Sequence, residues 1–99
     1  MDITQTRDGN RLTVGVKGKI TTLTAPGLEA VLRDNLADVD DLILDISELE
    51  STSSAGLRVI LEAQQIMDEK DARMIVRGAN DFVMKVFRET GFDKLLDIR

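Results

Sequence analysis

Apolar and polar residues alternate along the first part of the chain, in two segments that run from 3 to 7 and from 11 to 20. A period of two is typical of a strand with one buried face, because successive side chains point to opposite sides of a sheet. Asp8-Gly9-Asn10 lies between the segments and offers residue types that accept the backbone of a tight turn. The pattern therefore predicts an N-terminal β-hairpin. The apolar residues on one face of its second strand are Leu12, Val14 and Val16.

Three later segments carry apolar residues at the spacing of helices that bury one face. The first begins near Thr24, a residue type that caps helices, and has Pro26 in its first turn, where a missing N–H costs nothing. The second runs from about Ala55 to Glu69, and its polar residues step by three or four positions. The third follows the turn at 78–80 and ends at Gly91. We expect the second helix to lie on a sheet.

Short apolar runs separate or follow these helices. The runs at 42–44 and 74–76 predict strands buried on both faces, and the run at 95–98 predicts a last short strand. Strands linked through helices pair in parallel. The order therefore predicts an α/β fold whose mixed β-sheet starts with the N-terminal hairpin, with helices connecting the later parallel strands. No repeat, low-complexity tract or linker divides the chain, so we expect residues 1–99 to form a single domain.

The amino-acid composition excludes several kinds of catalytic mechanism and metal site. The 99 residues are 42% hydrophobic, which is enough for a packed core, and include no His, Cys, Tyr or Trp. This excludes mechanisms that need an imidazole base or a thiolate, and metal cages built from His and Cys. We therefore expect neither an enzyme nor a bound metal or cofactor. A Ser or Thr hydroxyl can still accept a phosphate from a partner enzyme.

Charge and hydropathy bear on partners and location. The 13 Lys and Arg residues are outnumbered by 18 Asp and Glu, for a net charge of -5. The basic residues are scattered rather than clustered as contacts to nucleic acid require. No apolar run approaches the ~18 residues of a membrane span, and the N-terminus lacks the features of a signal peptide. We expect a cytoplasmic protein that binds no nucleic acid and does not insert into a membrane.

The polar turn at 52–58 joins a buried strand to the second helix. A Ser before a helix is commonly an N-cap whose hydroxyl accepts a backbone N–H, and either Ser53 or Ser54 could do this. A hydroxyl here, followed by Ala55 and Gly56 with almost no side chain, is also open to a second protein. A phosphate on it would meet unpaired N–H groups and the positive end of the helix dipole. The residues alone leave the two interpretations about even.

Four segments, in this order and spacing, resemble the STAS family, the anti-sigma factor antagonists and their relatives. They are Lys17-Gly18-Lys19-Ile20 leading to Thr24-Ala25-Pro26, the strand Leu42-Ile43-Leu44-Asp45-Ile46-Ser47, the turn Ser53-Ser54-Ala55-Gly56-Leu57-Arg58, and the close Thr90-Gly91-Phe92-Asp93-Lys94-Leu95. The likeness covers essentially the whole chain. It implies a STAS-like fold in which the family's phosphorylated Ser falls on Ser54 and Ser53 takes the place of the preceding Asp.

The resemblance implies a bacterial partner-switching protein that regulates transcription and is not itself an enzyme. Unphosphorylated, it would bind an anti-sigma factor that is also a serine kinase of the GHKL type, and so release a sigma factor. Phosphorylation of Ser54 would break that contact, and a PP2C-type phosphatase would reverse it. Many relatives carry Asp at the positions of Thr21 and Ser53, so the surroundings of the acceptor are less acidic here.

The same resemblance gives roles to the residues around Ser54. Ala55 and Gly56 would permit close approach of a partner, so we expect Gly56→Ala to weaken binding while stability holds or rises. Arg58 and Glu62 would offer polar contacts on an exposed helix face. The expected partner-binding set is Ser53, Ser54, Ala55, Gly56, Arg58, Glu62, Thr21 and Asp45, the last as a neighbour that holds the loop. The alternative is a STAS-like scaffold or transport-regulatory module that packs on a partner without a phosphorylation cycle.

Overall fold

Strands and helices follow one another in the order that the sequence predicts as far as residue 90. The computed structural model describes the whole chain, Met1–Arg99. The elements are β1 (Asp2–Asp8), β2 (Arg11–Lys19), α1 (Ala25–Asn35), β3 (Asp41–Ser51), α2 (Ser54–Glu69), β4 (Arg73–Arg77), α3 (Asp81–Thr90) and a short 3₁₀ turn (Phe92–Lys94).

The strands form one sheet in the order β1-β2-β3-β4. β1 and β2 are antiparallel, whereas β3 lies parallel to β2 and β4 parallel to β3. This topology confirms the predicted α/β fold with a mixed sheet and an N-terminal hairpin. The register aligns apolar residues of three strands on one face, because paired residues point to the same side. Two such rows are Leu12, Leu42 and Met74, and Val14, Leu44 and Val76.

All three helices pack on that apolar face. Their inward residues join those of the sheet in one core of 23 buried residues, so the protein has a helical layer and a sheet layer. Phe87 of α3 is the largest fully buried side chain, and α1 lies beside α2. None of the helices combines the length and the apolar character that crossing a membrane would require.

The other face of the sheet is mostly polar and partly exposed, apart from Ile43 and Ile75, which pair across β3 and β4. Asp41 of β3 lies between two arginines of the neighbouring strands, 2.9 Å from Arg11 Nε and 3.3 Å from Arg73 Nε. Burial alone would raise the pKa of Asp41, but the hydrogen bond from Arg11 and the charge of Arg73 outweigh it and hold that pKa below its ordinary value. These pairs connect three strands that are distant in sequence.

The end of the chain departs from the predicted strand at 95–98. Gly91 adopts a left-handed conformation with φ 80° and leads into the 3₁₀ turn, and the N–H groups of Leu95 and Leu96 both donate to Phe92 O. Leu95 and Leu96 follow this turn and fold back onto it instead of extending, so the predicted strand is wrong in its first half. Only the last residues run along β4, with one parallel bridge between Val76 and Ile98.

The carboxyl ends of β2, β3 and β4 lie at one edge of the sheet because these strands are parallel. Two hydrogen bonds connect the loops that leave this edge. Ile20 N–H donates to Ser51 O at 3.0 Å, and Asn80 Nδ2 donates to Leu49 O at 3.0 Å. α/β proteins commonly place their binding sites at this edge. The turn at 52–58 lies here.

Candidate functional site

Ser53 is the N-cap of α2. Its backbone is extended, with φ -127° and ψ 173°, and its side-chain oxygen accepts a hydrogen bond from Gly56 N–H at 3.2 Å. The side chain is half-buried. This is the bond that the N-cap interpretation predicts, and it assigns the cap to Ser53 and not to Ser54.

Ser54 is the first residue of α2 and is exposed. Its hydroxyl makes no hydrogen bond within the protein, in contrast to that of its neighbour Ser53. The backbone N–H groups of Ser54 and Ala55 also have no partner in the chain, because the first bonds of this helix are donated by Gly56 and Leu57. The free hydroxyl therefore lies where the positive end of the helix dipole is least compensated.

An open groove lies beside Ser54. Thr22, Ser54, Ala55 and Arg58 line it, and its volume is about 360 Å³. Arg58 follows Ser54 by four residues, so the two lie on the same face of the helix. The groove contains a hydroxyl acceptor and a guanidinium but no carboxylate. A phosphate on Ser54 would lie within reach of a cation, which stabilises it locally.

Gly56 serves a contact inside this chain. It is buried, and a Cβ placed on it would lie 2.7 Å from Ile20 Cγ2 and would also overlap Thr52 Oγ1. The expectation that Gly56→Ala holds or raises stability is therefore wrong. The small residue is needed because the end of β2 approaches the first turn of α2 more closely than a methyl group allows. The pattern of the sequence could not reveal this, since Ile20 is distant along the chain.

Asp45 does not contact the turn that carries Ser54, so its predicted role of holding that loop is wrong. The carboxylate lies on the polar face of the sheet, where it accepts hydrogen bonds from Ser47 N–H and Arg77 Nη2, each at 3.0 Å. The bonds from Ser47, followed by that from Arg77, hold the pKa of Asp45 below its ordinary value. It lines a second, separate cavity of about 320 Å³ on this face.

Glu62 faces α1. Its carboxylate accepts a hydrogen bond from Arg33 Nε at 2.8 Å, and this bond is the main reason why the pKa of Glu62 lies below its usual range. Glu62 follows Arg58 by four residues and so lies on the same face of α2, one turn further from the groove, where it joins two helices of this chain. Arg58 is exposed and lines the groove, whereas Glu62 is half-buried. A partner contact by either residue stays a prediction.

Thr21 shapes the loop between β2 and α1. Its hydroxyl oxygen accepts hydrogen bonds from the N–H groups of Leu23 and Thr24, each at 3.2 Å. Thr24 precedes α1 as predicted, but its side chain makes no cap bond, since it accepts the Thr21 N–H at 2.8 Å instead. Thr22 also lines the groove, although it is not among the residues that the sequence predicts for the site. The only signal for it was three threonines around one apolar residue outside any periodic pattern.

Known proteins resemble this chain in sequence and in structure. Residues 3–97 match the family model described as Mlab, STAS domain. A protein of Listeria monocytogenes named anti-sigma-B factor antagonist is 24% identical over 94 residues, which cover 94% of this chain and 82% of that protein.

Two solved structures share the fold. An anti-sigma factor antagonist from Mycobacterium paratuberculosis matches with a TM-score of 0.89 at 24% identity, covering 98% of this chain and 83% of that chain. The Bacillus cell fate determinant SpoIIAA in its phosphorylated form matches with a TM-score of 0.79 at 14% identity, covering 99% of this chain and 91% of that chain. Because the family model spans nearly all of its residues, the chain belongs to the STAS domain family.

Proposed function

We propose that this protein is an anti-sigma factor antagonist of a cytoplasmic partner-switching pathway, with Ser54 as its phosphorylation site. The observation that carries the proposal is the division between two adjacent hydroxyls. Ser53 is occupied as the helix cap, whereas Ser54 is exposed, unbonded and beside an open groove. The names of the similar proteins from Listeria and Mycobacterium support the role.

The partner of the unphosphorylated form is an anti-sigma factor that is also a serine kinase of the GHKL type. This chain is the substrate of that kinase and not itself an enzyme, because the kinase binds the ATP and transfers its phosphoryl group. Phosphorylation adds about -1.5 to -2 charges at Ser54, in the middle of the contact surface. The added charge must be desolvated when the partner binds, and the phosphate needs space that a close interface lacks. The complex then dissociates, and a PP2C-type phosphatase restores the binding form.

Phosphorylation of variants tests the acceptor. Incubated with its cognate kinase and ATP, the wild-type protein should gain one phosphate, which mass spectrometry maps to Ser54. Ser54→Ala should gain none. Ser53→Ala is the matched control, because it removes the adjacent hydroxyl and should still be phosphorylated. A phosphate on Ser53, Thr52 or Thr21, or none on the wild-type protein, would contradict the proposal.

Binding measurements test the switch. Ser54→Asp should weaken binding to the kinase, by less than the phosphate does because a carboxylate has less charge. Ser54→Ala should bind the kinase and stay bound when ATP is added. Equal affinity of the unmodified protein and the fully phosphorylated protein would contradict the switch even if Ser54 is the acceptor.

One feature of the groove favours a second candidate, a STAS-like scaffold or transport-regulatory module without a phosphorylation cycle. The side chains that line the groove include no carboxylate. The sequence has Thr21 and Ser53 at the positions where many relatives carry an acid. In this case the same edge of the sheet binds a partner that does not modify it. Ser54 would then be unphosphorylated in native cells under all growth conditions, and Ser54→Ala would have no effect on partner binding.

A further inference from the structure

We infer that Leu23 is an apolar anchor that binds a pocket on the kinase beside its phosphoryl-donor site. This inference rests on the proposed function. Leu23 is 91% exposed, the largest value among the large hydrophobic residues of the chain. The others that are exposed are Met1, Phe82 and Leu95. A leucine held almost entirely in water buries no apolar surface in this fold, so it can gain apolar burial only against another molecule.

The loop that carries Leu23 is held rigidly by its neighbours. Leu23 N–H donates to the hydroxyl oxygen of Thr21 at 3.2 Å, and Thr21 N–H donates to that of Thr24 at 2.8 Å. The Thr24 hydroxyl donates in turn to Lys19 O at 3.2 Å. The backbone of the loop is therefore fixed before a partner arrives. A preorganised anchor loses little conformational freedom on binding, so most of the gain from burial appears as affinity.

This loop lies next to the proposed phosphorylation site. Thr22, the residue before Leu23, lines the groove together with Ser54 and Arg58. Beneath it, Ile20 packs against the first turn of α2 at Gly56, where no side chain separates them. The end of β2 and the start of α2 are thus parts of one surface, with an apolar projection at Leu23 and an acceptor hydroxyl at Ser54.

The chemistry of this surface specifies its partner. An enzyme that phosphorylates Ser54 must bring its γ-phosphate to that hydroxyl, and so must cover the adjoining groove. The Leu23 side chain then meets the kinase beside its nucleotide site. An apolar pocket at that place orients the acceptor, because a fixed contact near the reacting atoms restricts the ways in which the two proteins can dock. Leu23 is accordingly a positioning residue and not a catalytic one.

Affinity and phosphorylation of a Leu23 variant test the inference. Leu23→Ser should weaken binding to the cognate kinase by roughly 10- to 100-fold, as expected for losing the burial of one leucine. The KM for phosphorylation of Ser54 should rise by a similar factor, whereas kcat should change less. Leu23→Met keeps an apolar side chain and should retain most of the affinity. Circular dichroism and thermal unfolding should match the wild-type protein, since the side chain packs on nothing in the fold.

Leu95→Ser is the matched control. Leu95 is 56% exposed and lies just before the final segment that runs parallel to β4, and it does not line the groove beside Ser54. This variant should bind like the wild-type protein. If Ser54 is phosphorylated and Leu23→Ser binds with unchanged affinity, or Leu95→Ser weakens binding as much, the anchor is wrong and the proposed function stands. If the wild-type protein neither binds the kinase nor is phosphorylated at Ser54, both are wrong.

Discussion

Replacing Gly56 with alanine should destabilise the domain, although most glycine-to-alanine changes inside helices stabilise. The new Cβ would lie 2.7 Å from Ile20 Cγ2 and 3.1 Å from Ile20 Cβ. Ile20 is fully buried and branched at Cβ, so it cannot move aside as the end of a flexible side chain could. Overpacking of this kind costs about 1–3 kcal/mol, while the helix gains about 0.5–1 kcal/mol from losing glycine. The net loss should be about 1–2 kcal/mol.

Urea unfolding and thermal scans measure this loss. For a domain of this size, about 1 kcal/mol corresponds to a shift of about 4–8 °C in Tm, so Gly56→Ala should unfold about 4–16 °C below the wild-type protein. Gly27→Ala is the matched control. Gly27 is also the third residue of its helix, but a Cβ there meets only Met1 Cε, at 3.9 Å. That variant should be stabilised by about 0.5–1 kcal/mol.

A double-mutant cycle identifies the contact. Ile20→Ala alone should cost about 2–5 kcal/mol, because it empties part of the core. In that background the contact with Ile20 Cγ2 is gone and the Thr52 hydroxyl can rotate away, so adding Gly56→Ala should cost clearly less than it does in the wild-type protein. Strict additivity of the two changes, or a single Gly56→Ala variant as stable as the wild-type protein, would contradict a steric clash with Ile20. In the first case another neighbour causes the loss, and in the second the helix shifts freely.

Three further predictions follow from hydrogen bonds in the structure. Ser53→Ala should lower the free energy of unfolding by about 1 kcal/mol, because the cap bond is lost, and Ser54→Ala should lower it by clearly less. Urea titrations measure both values, and the reverse order would assign the cap to Ser54. The pKa of Asp45 is lowered in the fold, so its stabilisation is complete above its unfolded pKa of about 4 and is lost as the pH falls further. Asp45→Asn should thus reduce the dependence of urea midpoints on pH below about 4, and an unchanged dependence would contradict this. Lys70 Nζ donates to two carbonyls at the end of α1, at 2.7 and 2.9 Å, so Lys70→Met should lower the free energy of unfolding by about 1–2 kcal/mol. Lys85 forms only an exposed ion pair, so Lys85→Met should change that free energy by no more than about 0.5 kcal/mol in the same titrations.

Local patterns were sufficient where the fold depends on which face of an element is buried. The period of two in β2 and the helical spacing in α2 predicted those elements, and the alternation of helices with strands predicted the parallel part of the sheet. The strand predicted at 95–98 was wrong in its first half. Leu95 and Leu96 are as apolar as strand residues, and only Gly91, with its positive φ, directs the chain into a 3₁₀ turn.

The roles of the site residues depend more than the secondary structure does on contacts between residues that are distant along the chain. The sequence indicated that a serine at the start of α2 is open to a partner, but only the structure distinguishes the bonded hydroxyl of Ser53 from the free one of Ser54. Gly56 and Asp45 were assigned to the site because they are close to it in the turn or in the aligned strand. Their partners are distant along the chain, Ile20 just after β2 and Arg77 in β4, and no local pattern reveals these contacts.

The separate uses of two neighbouring hydroxyls have a consequence for how a signal is stored. The bond that starts α2 belongs to Ser53, so a group added to or removed from Ser54 leaves that bond unchanged. Under the proposed function, the two chemical states share one architecture and differ in surface charge alone. Ser54 can then be phosphorylated and dephosphorylated many times without refolding of the protein. The lifetime of the phosphorylated state is therefore the lifetime of the phosphoester bond, and it does not depend on a slow rearrangement of the backbone.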